Sequence, residues 1–210
     1  MDLMIATHNR HKVREIKAIW SDLNLCIKSL ADLPRKIHLR ETGATFSENA
    51  IQKASQVAAC VEGLILADDS GIEVDALNGK PGVFSARYAG PKATDIQNNQ
   101  KLLSALEGVP WDKRVARYRC VMALVDADRR VYLSEGICEG MIAFEPSGRQ
   151  GFGYDPIFFL PDYGMTMARI SPEEKNKISH RSIALQKTRE ILEQVSLGLG
   201  DIDFSPSITL

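Results

Sequence analysis

The chain has 210 residues, 44% hydrophobic and 25% charged, which suits a soluble globular protein with enough length for a substantial core. Its formal net charge of -1 gives no overall positive field, so neither a nucleic-acid partner nor an anionic membrane surface is expected. No apolar run nears the ~20 residues that cross a bilayer. The N-terminus lacks a charged leader before an apolar stretch, and Cys26, Cys60, Cys120 and Cys138 form no CxxC pair, so a cytoplasmic protein with buried thiols is expected.

In chain order, Met1 to Ala6 reads as a first strand. It turns at Thr7-His8-Asn9 into an amphipathic helix with Val13, Ile16 and Trp20 at i, i+3 and i+7. Leu23 to Leu30 reads as a second strand, and Ala31 to Gly43 as a loop. Thr45-Phe46-Ser47-Glu48 has capping-box spacing and predicts a helix carrying Phe46, Ala50, Ile51, Ala54, Val57 and Val61 on one face. Leu64 to Ala67 is a strand ending at Asp68-Asp69-Ser70-Gly71. Thr94 to Gln97 opens another helix to about Leu106. Val115 to Val125 and Val131 to Met141 form the best hairpin of the chain. Tyr154 to Leu160 reads as a strand, Ser171-Pro172-Glu173-Glu174 as a helix start, and Arg181 to Val195 as the final helix. The tail from Gly198 to Leu210 is weakly patterned. With no repeat or linker, the whole chain 1–210 is one domain, and the 115–141 hairpin is the candidate for a second lobe beside a cleft.

Several segments carry chemistry. At Thr7-His8-Asn9-Arg10-His11-Lys12 a strand meets a helix start, where amides, Thr7, Asn9 and the Lys12 ammonium suit an anion; a capped surface helix with a solvated lysine is the plainer alternative. Lys53 borders the apolar stripe of its helix, so its stem can pack while its ammonium reaches a cleft. Asp68 and Asp69 next to apolar surface call for a compensating cation. A carboxylate there suits Mg²⁺ with waters and phosphate completing the shell, or a base acting on water. Ser70 adds a donor for phosphate; an Asx-turn explains the acids equally well. Gly151-Phe152-Gly153-Tyr154-Asp155-Pro156 lacks the third glycine of a dinucleotide loop, but its aromatics can stack on a base and Asp155 can accept from ring N–H groups. Lys175, Lys177, His180 and Arg181 form a cationic segment, either solvated or donating to base oxygens and phosphate. Gly79-Lys80 does not end a Walker A loop, since Val74 and Pro81 hold the glycine and Ser/Thr positions.

Six of these stretches, in order, resemble the inosine/xanthosine triphosphate pyrophosphatase family, also called the Ham1 or RdgB family, and its bacterial branch in particular. They are Ala6 to Lys12, Glu41 to Ala50, Ala67 to Gly71, Pro81 to Tyr88, Gly151 to Phe159, and Ser179-His180-Arg181. The resemblance implies a mixed α/β fold with an elongated sheet flanked by helices, two lobes with a central cleft, and a homodimer. It implies Mg²⁺-dependent hydrolysis of ITP, dITP and XTP to the monophosphate and pyrophosphate, cleansing the nucleotide pool. By motif position, Thr7, His8, Asn9, Arg10, His11, Lys12 and Ser70 would hold the triphosphate, with Lys53 and Lys175 assisting. Asp69 would bind metal and act as the base. Phe152, Gly153, Tyr154 and Asp155 would shape the base pocket, with His180 and Arg181 reading the purine oxo groups. The chain departs from the family at Arg40, where a metal-binding glutamate is frequent; the acid here is Glu41, which joins Asp68 as a secondary metal candidate. The competing readings are a Maf-type pyrophosphatase, a non-catalytic nucleotide sensor, and a phosphatase with an aspartyl nucleophile.

Overall fold

The computed structural model describes residues 2–34, 36–196 and 208–209. Among them, strand β1 (Asp2–Ile5), helix α1 (Arg10–Ile19) and strand β2 (Cys26–Ser29) open the chain. Helix α2 (Phe46–Ala58) leads into the long strand β3 (Leu64–Val74). Helix α3 (Asp95–Ala105), strands β4 (Val115–Val125) and β5 (Arg130–Ile142), and the short strands β6 (Phe158–Leu160) and β7 (Met165–Thr166) follow. Helices α4 (Pro172–Ile178) and α5 (His180–Ser196) and strand β8 (Ile208–Thr209) complete the series. The strands share one sheet in the order β2-β1-β3-β4-β5-β6-β7, with β8 on β5. β1 runs parallel to β2 and β3, with Ile5 opposite Ser29 and Leu66, while β6 runs antiparallel to β5 and β7. Parallel neighbours joined through helices, beside antiparallel neighbours in the same sheet, make this a mixed α/β fold, as expected.

The chain divides into two compact units. The first lies within Met1–Asp69, Cys120–Gly136 and Arg181–Leu210. Its core packs Leu3, Ile5 and Leu66 of the sheet with Ile16 and Trp20 of the first helix and Leu185, Ile191 and Leu192 of α5. The second spans Ser70–Arg119 and Ile137–His180. There Ile72 and Val74 meet Leu102, Leu106, Tyr154 and Phe158. Each fully buried Leu or Ile in such cores contributes about 1.5–3 kcal/mol. The 115–141 hairpin is itself shared between the two units, because the division falls after Arg119 and after Gly136. Most of the 198–210 tail lies outside the described residues.

Several element boundaries differ from expectation, and α2 ends at Ala58, before the expected Val61. β3 runs on through Asp68, Asp69, Ser70 and Gly71 to Val74 instead of ending at the acids. It can do so because cations meet the two carboxylates inside the protein. The second strand is only Cys26–Ser29. Tyr154 to Ile157 is a turn, not strand, since the Tyr154 carbonyl accepts from the amides of Ile157 and Phe158. The capping signals are realised: the Thr45 hydroxyl accepts from the Glu48 amide, and Thr94 and Gln97 form a full reciprocal box.

Candidate functional site

Alternation along β3 separates its two acids. Leu64, Leu66 and Asp68 share the face that packs on α1 and α5, whereas Asp69 meets α2. The Asp68 carboxylate is fully buried, with the Lys12 ammonium at 2.8 Å and the Arg181 guanidinium at 3.3 Å. Arg181 also pairs with Glu15. Burial alone would raise the Asp68 carboxyl, but Lys12, Arg181 and Lys53 together hold it well below the usual carboxylate range. Cys120 lies 4.0 Å from the same carboxylate, and burial beside that charge pushes its thiol up to about 12.

On the other face, Asp69 receives two donors. Lys53 Nζ lies 3.1 Å from Oδ1, and Asn49 Nδ2 donates to Oδ2 at 3.1 Å. Lys53 is nearly inaccessible to solvent and also reaches Glu41 Oε1 at 2.9 Å. Desolvation works against its charge, yet Asp69, Asp68 and Glu41 raise its pKa, so it remains an ammonium. Asp69 moves the opposite way from Asp68: burial, reinforced by Glu41, lifts its carboxyl above the ordinary value despite Lys53 and Lys12.

The loop bearing Glu41 is pinned to α2 by side chains one turn apart. The Gln56 amide exchanges hydrogen bonds with the backbone of Arg40, Gln52 accepts from the Thr42 amide, and Asn49 Oδ1 accepts from Gly43 N at 2.8 Å. Gly43 allows this approach; a Cβ there would lie 2.6 Å from Glu48 Cβ. Glu41, one residue after Arg40, thus shares the Lys53 ammonium with Asp69. Among the described residues no group of three or more His, Cys, Asp or Glu side chains could hold a metal. Glu41 and Asp69 therefore offer an all-oxygen pair that fits Mg²⁺ only with waters or phosphate oxygens completing six ligands. Asp68, enclosed by two cations, is not open in that way.

At the start of α1, Asn9 Oδ1 accepts from the His11 and Lys12 amides, and Thr7 accepts from the Asn9 amide. His8 donates to the Ile37 carbonyl at 2.8 Å. Thr7, His8 and Arg10 line a cavity of about 450 Å³ with Lys36 and residues 29–31, 33 and 34. The expected phosphate residues of this segment are thus gathered in the first unit with Lys53 and Asp69, while Ser70 opens the second.

The second unit brings together the glycine-aromatic loop, Lys175 and His180. Asp155 Oδ2 accepts from the Phe152 amide at 2.9 Å and from Lys175 Nζ at 2.6 Å, while Tyr118 donates to Oδ1 at 3.2 Å. Asp155, expected to meet a base directly, is therefore engaged by protein donors. Lys175 Nζ lies 4.8 Å from the Phe152 ring centroid, so it belongs to this group. The His180 ring stacks on Tyr118, with centroids 4.6 Å apart and planes 8° from parallel. Arg181, expected to read a base, is bound instead by Glu15 and Asp68 in the first unit. Gly151 is required by close approach: a Cβ there would lie 1.9 Å from Asp155 Oδ2.

Sequence reasoning missed Asn49, Glu15 and Tyr118 as functional residues. Asn49 carried a signal, standing one turn before Lys53 on the same stripe. Tyr118 lies in a β-rich run, where nothing local marks it.

The profile of the Ham1 family matches residues 3–191. A dITP/XTP pyrophosphatase of Desulforamulus reducens is 48% identical over 195 residues, covering 93% of this chain and 97% of that protein. One of Bacillus subtilis (strain 168) is 48% identical over 192 residues, covering 91% and 97%. The solved Ham1 protein of Staphylococcus aureus superposes with a TM-score of 0.83 at 39% identity, covering 93% of this chain and all of that one.

Proposed function

The chain belongs to the Ham1 family, and from that premise we propose that it hydrolyses ITP, dITP and XTP to the nucleoside monophosphate and pyrophosphate, cleansing the nucleotide pool. The observation that carries the reading is the Lys53 ammonium shared by Asp69 and Glu41, one residue along β3 from the Lys12–Asp68 pair. Fixed ammonium groups beside carboxylates suit a polyphosphate and its counterion. The names of the relatives supply the substrate class.

In this reading water attacks the α-phosphorus, Asp69 takes the water's proton, and the bond to the bridging oxygen of the leaving pyrophosphate breaks. Asn49 and Lys53, one on each oxygen, fix the plane of that carboxylate. Lys12 and Lys53 offset the charge on the phosphates. Asp69 and Glu41 would hold Mg²⁺, which when bound supplies Lewis-acid stabilisation of the departing phosphate charge.

Selectivity is assigned to the second unit. Phe152 offers the stacking face, and Lys175 and His180 the donors for a 6-oxo purine. Adenine carries an amino group there and would leave such donors unpaired. The resemblance further supports a cytoplasmic homodimer, which sedimentation at assay concentration tests. The reading itself is tested by pyrophosphate release from ITP, XTP, dITP, GTP, ATP and pyrimidine triphosphates with Mg²⁺. Preference for ITP, dITP and XTP is expected, and equal or greater turnover of ATP or a pyrimidine triphosphate overturns it.

A further inference from the structure

Gly153 lies at the centre of the stacking loop, yet both of its backbone groups are tied outside that loop, to one helix. Asp95 Oδ2 accepts from Gly153 N at 2.7 Å, and Asn99 Nδ2 donates to Gly153 O at 3.1 Å. Asp95 and Asn99 stand one turn apart on α3 and so share a face. The neighbouring ties are internal: Phe152 N is held by Asp155, and Phe152 O accepts from the Asp155 amide. Gly153 has φ +65°, and a Cβ there would meet nothing within 4 Å, so glycine is used for backbone conformation and not for space. Asn99 is buried, and its Oδ1 has no hydrogen-bond partner among the described residues. A buried amide with one end unsatisfied is unfavourable; its bond to Gly153 is the interaction that places it there.

We propose that Asp95 and Asn99 are positioning residues for base recognition: they clamp the two backbone groups of Gly153 and thereby hold the Phe152 ring ready for the purine. The proposal rests on the functional reading above. A platform held in its bound arrangement spares the substrate the ordering of the loop, so the clamp acts on affinity and base discrimination, not on the bond-breaking step.

The test is steady-state kinetics on Asp95→Ala, Asp95→Asn, Asn99→Ala and Asn99→Asp with ITP and ATP. Asp95→Ala should raise KM for ITP by about tenfold while kcat stays within about threefold, and should narrow the ITP-to-ATP ratio of kcat/KM. Asp95→Asn keeps an acceptor for the Gly153 amide and should restore most of the KM. Asn99→Asp is isosteric but brings no donor to the Gly153 carbonyl, so it should match Asn99→Ala. Unchanged KM and discrimination in both alanine variants overturn the proposal, as does an equal loss in Asp95→Asn, or a fall in kcat at constant KM. Amide hydrogen exchange supplies a readout that needs no turnover: Gly153 N–H should exchange faster in Asp95→Ala, and unchanged protection counts against the clamp. If wild-type protein releases no pyrophosphate from ITP, the functional reading fails, and the exchange experiment together with calorimetric binding of inosine monophosphate still decides the clamp.

Discussion

Removing the Lys53 ammonium should expose how the first unit tolerates so much buried charge. In Lys53→Met the apolar stem is kept, while Asp69 and Glu41 lose a cation at 3.1 and 2.9 Å. Breaking a buried pair by deleting one partner costs about 3–5 kcal/mol. Glu41 is about one-third exposed and regains water, and Lys12 still acts on Asp69, so the lower part of that range, about 3 kcal/mol at pH 8, is expected. The sign of the pH dependence is diagnostic. Asp69 already has a raised carboxyl, and Lys53 is among the groups lowering it, so the substitution raises it further. A carboxyl whose folded pKa exceeds its unfolded value favours the fold at low pH and disfavours it as pH rises through the folded value. The penalty of Lys53→Met should therefore be largest at pH 8 and smaller at pH 4.5. Urea denaturation of both proteins at the two pH values measures this. A loss under about 1 kcal/mol at pH 8 would refute the reasoning, as would a loss of the same size at both pH values.

Asp68→Asn should destabilise by about 3–5 kcal/mol, because it leaves the buried Lys12 and Arg181 without their shared carboxylate. Since Asp68 is held below the usual range, its contribution is present above the ordinary carboxylate pKa and lost progressively as pH falls from there through its lower folded value, so wild type and variant should converge in acid denaturation. Gly151→Ala adds a Cβ at 1.9 Å from Asp155 Oδ2 in a backbone of φ +76°; a loss of about 1–3 kcal/mol and a raised KM for ITP are expected from thermal and kinetic assays, and a wild-type KM would contradict the close approach. Dialysis against EDTA should abolish pyrophosphate release and Mg²⁺ should restore it; turnover that persists without divalent cation removes the metal role proposed for Asp69 and Glu41.

The helices were legible because capping and periodicity are local: Thr45, Thr94 and Ser171 sit where the chain turns into α2, α3 and α4. The end of β3 was misplaced because two adjacent acids read as a surface turn, and only distant cations make a buried continuation possible. The partners of Asp68 come from α1 and α5, and those of Asp69 from α2, separations that no local pattern encodes. Lys175 and Arg181 were legible as functional cations, but which acid each meets depends on the fold: Lys175 meets Asp155, and Arg181 meets Asp68 and Glu15. Tyr118 shows the limit most plainly. Its role lies in bonding Asp155 and stacking on His180, two residues far along the chain.

The central proposal is that Asp69 activates the attacking water. The direct measurement is single-turnover release of pyrophosphate from γ-labelled ITP at saturating Mg²⁺ by wild type and Asp69→Asn. Pyrophosphate without orthophosphate from the wild type, and a loss of about 10²- to 10⁴-fold in the variant, is the predicted result. Orthophosphate as the first product, or a variant that turns over at the wild-type rate, would contradict it.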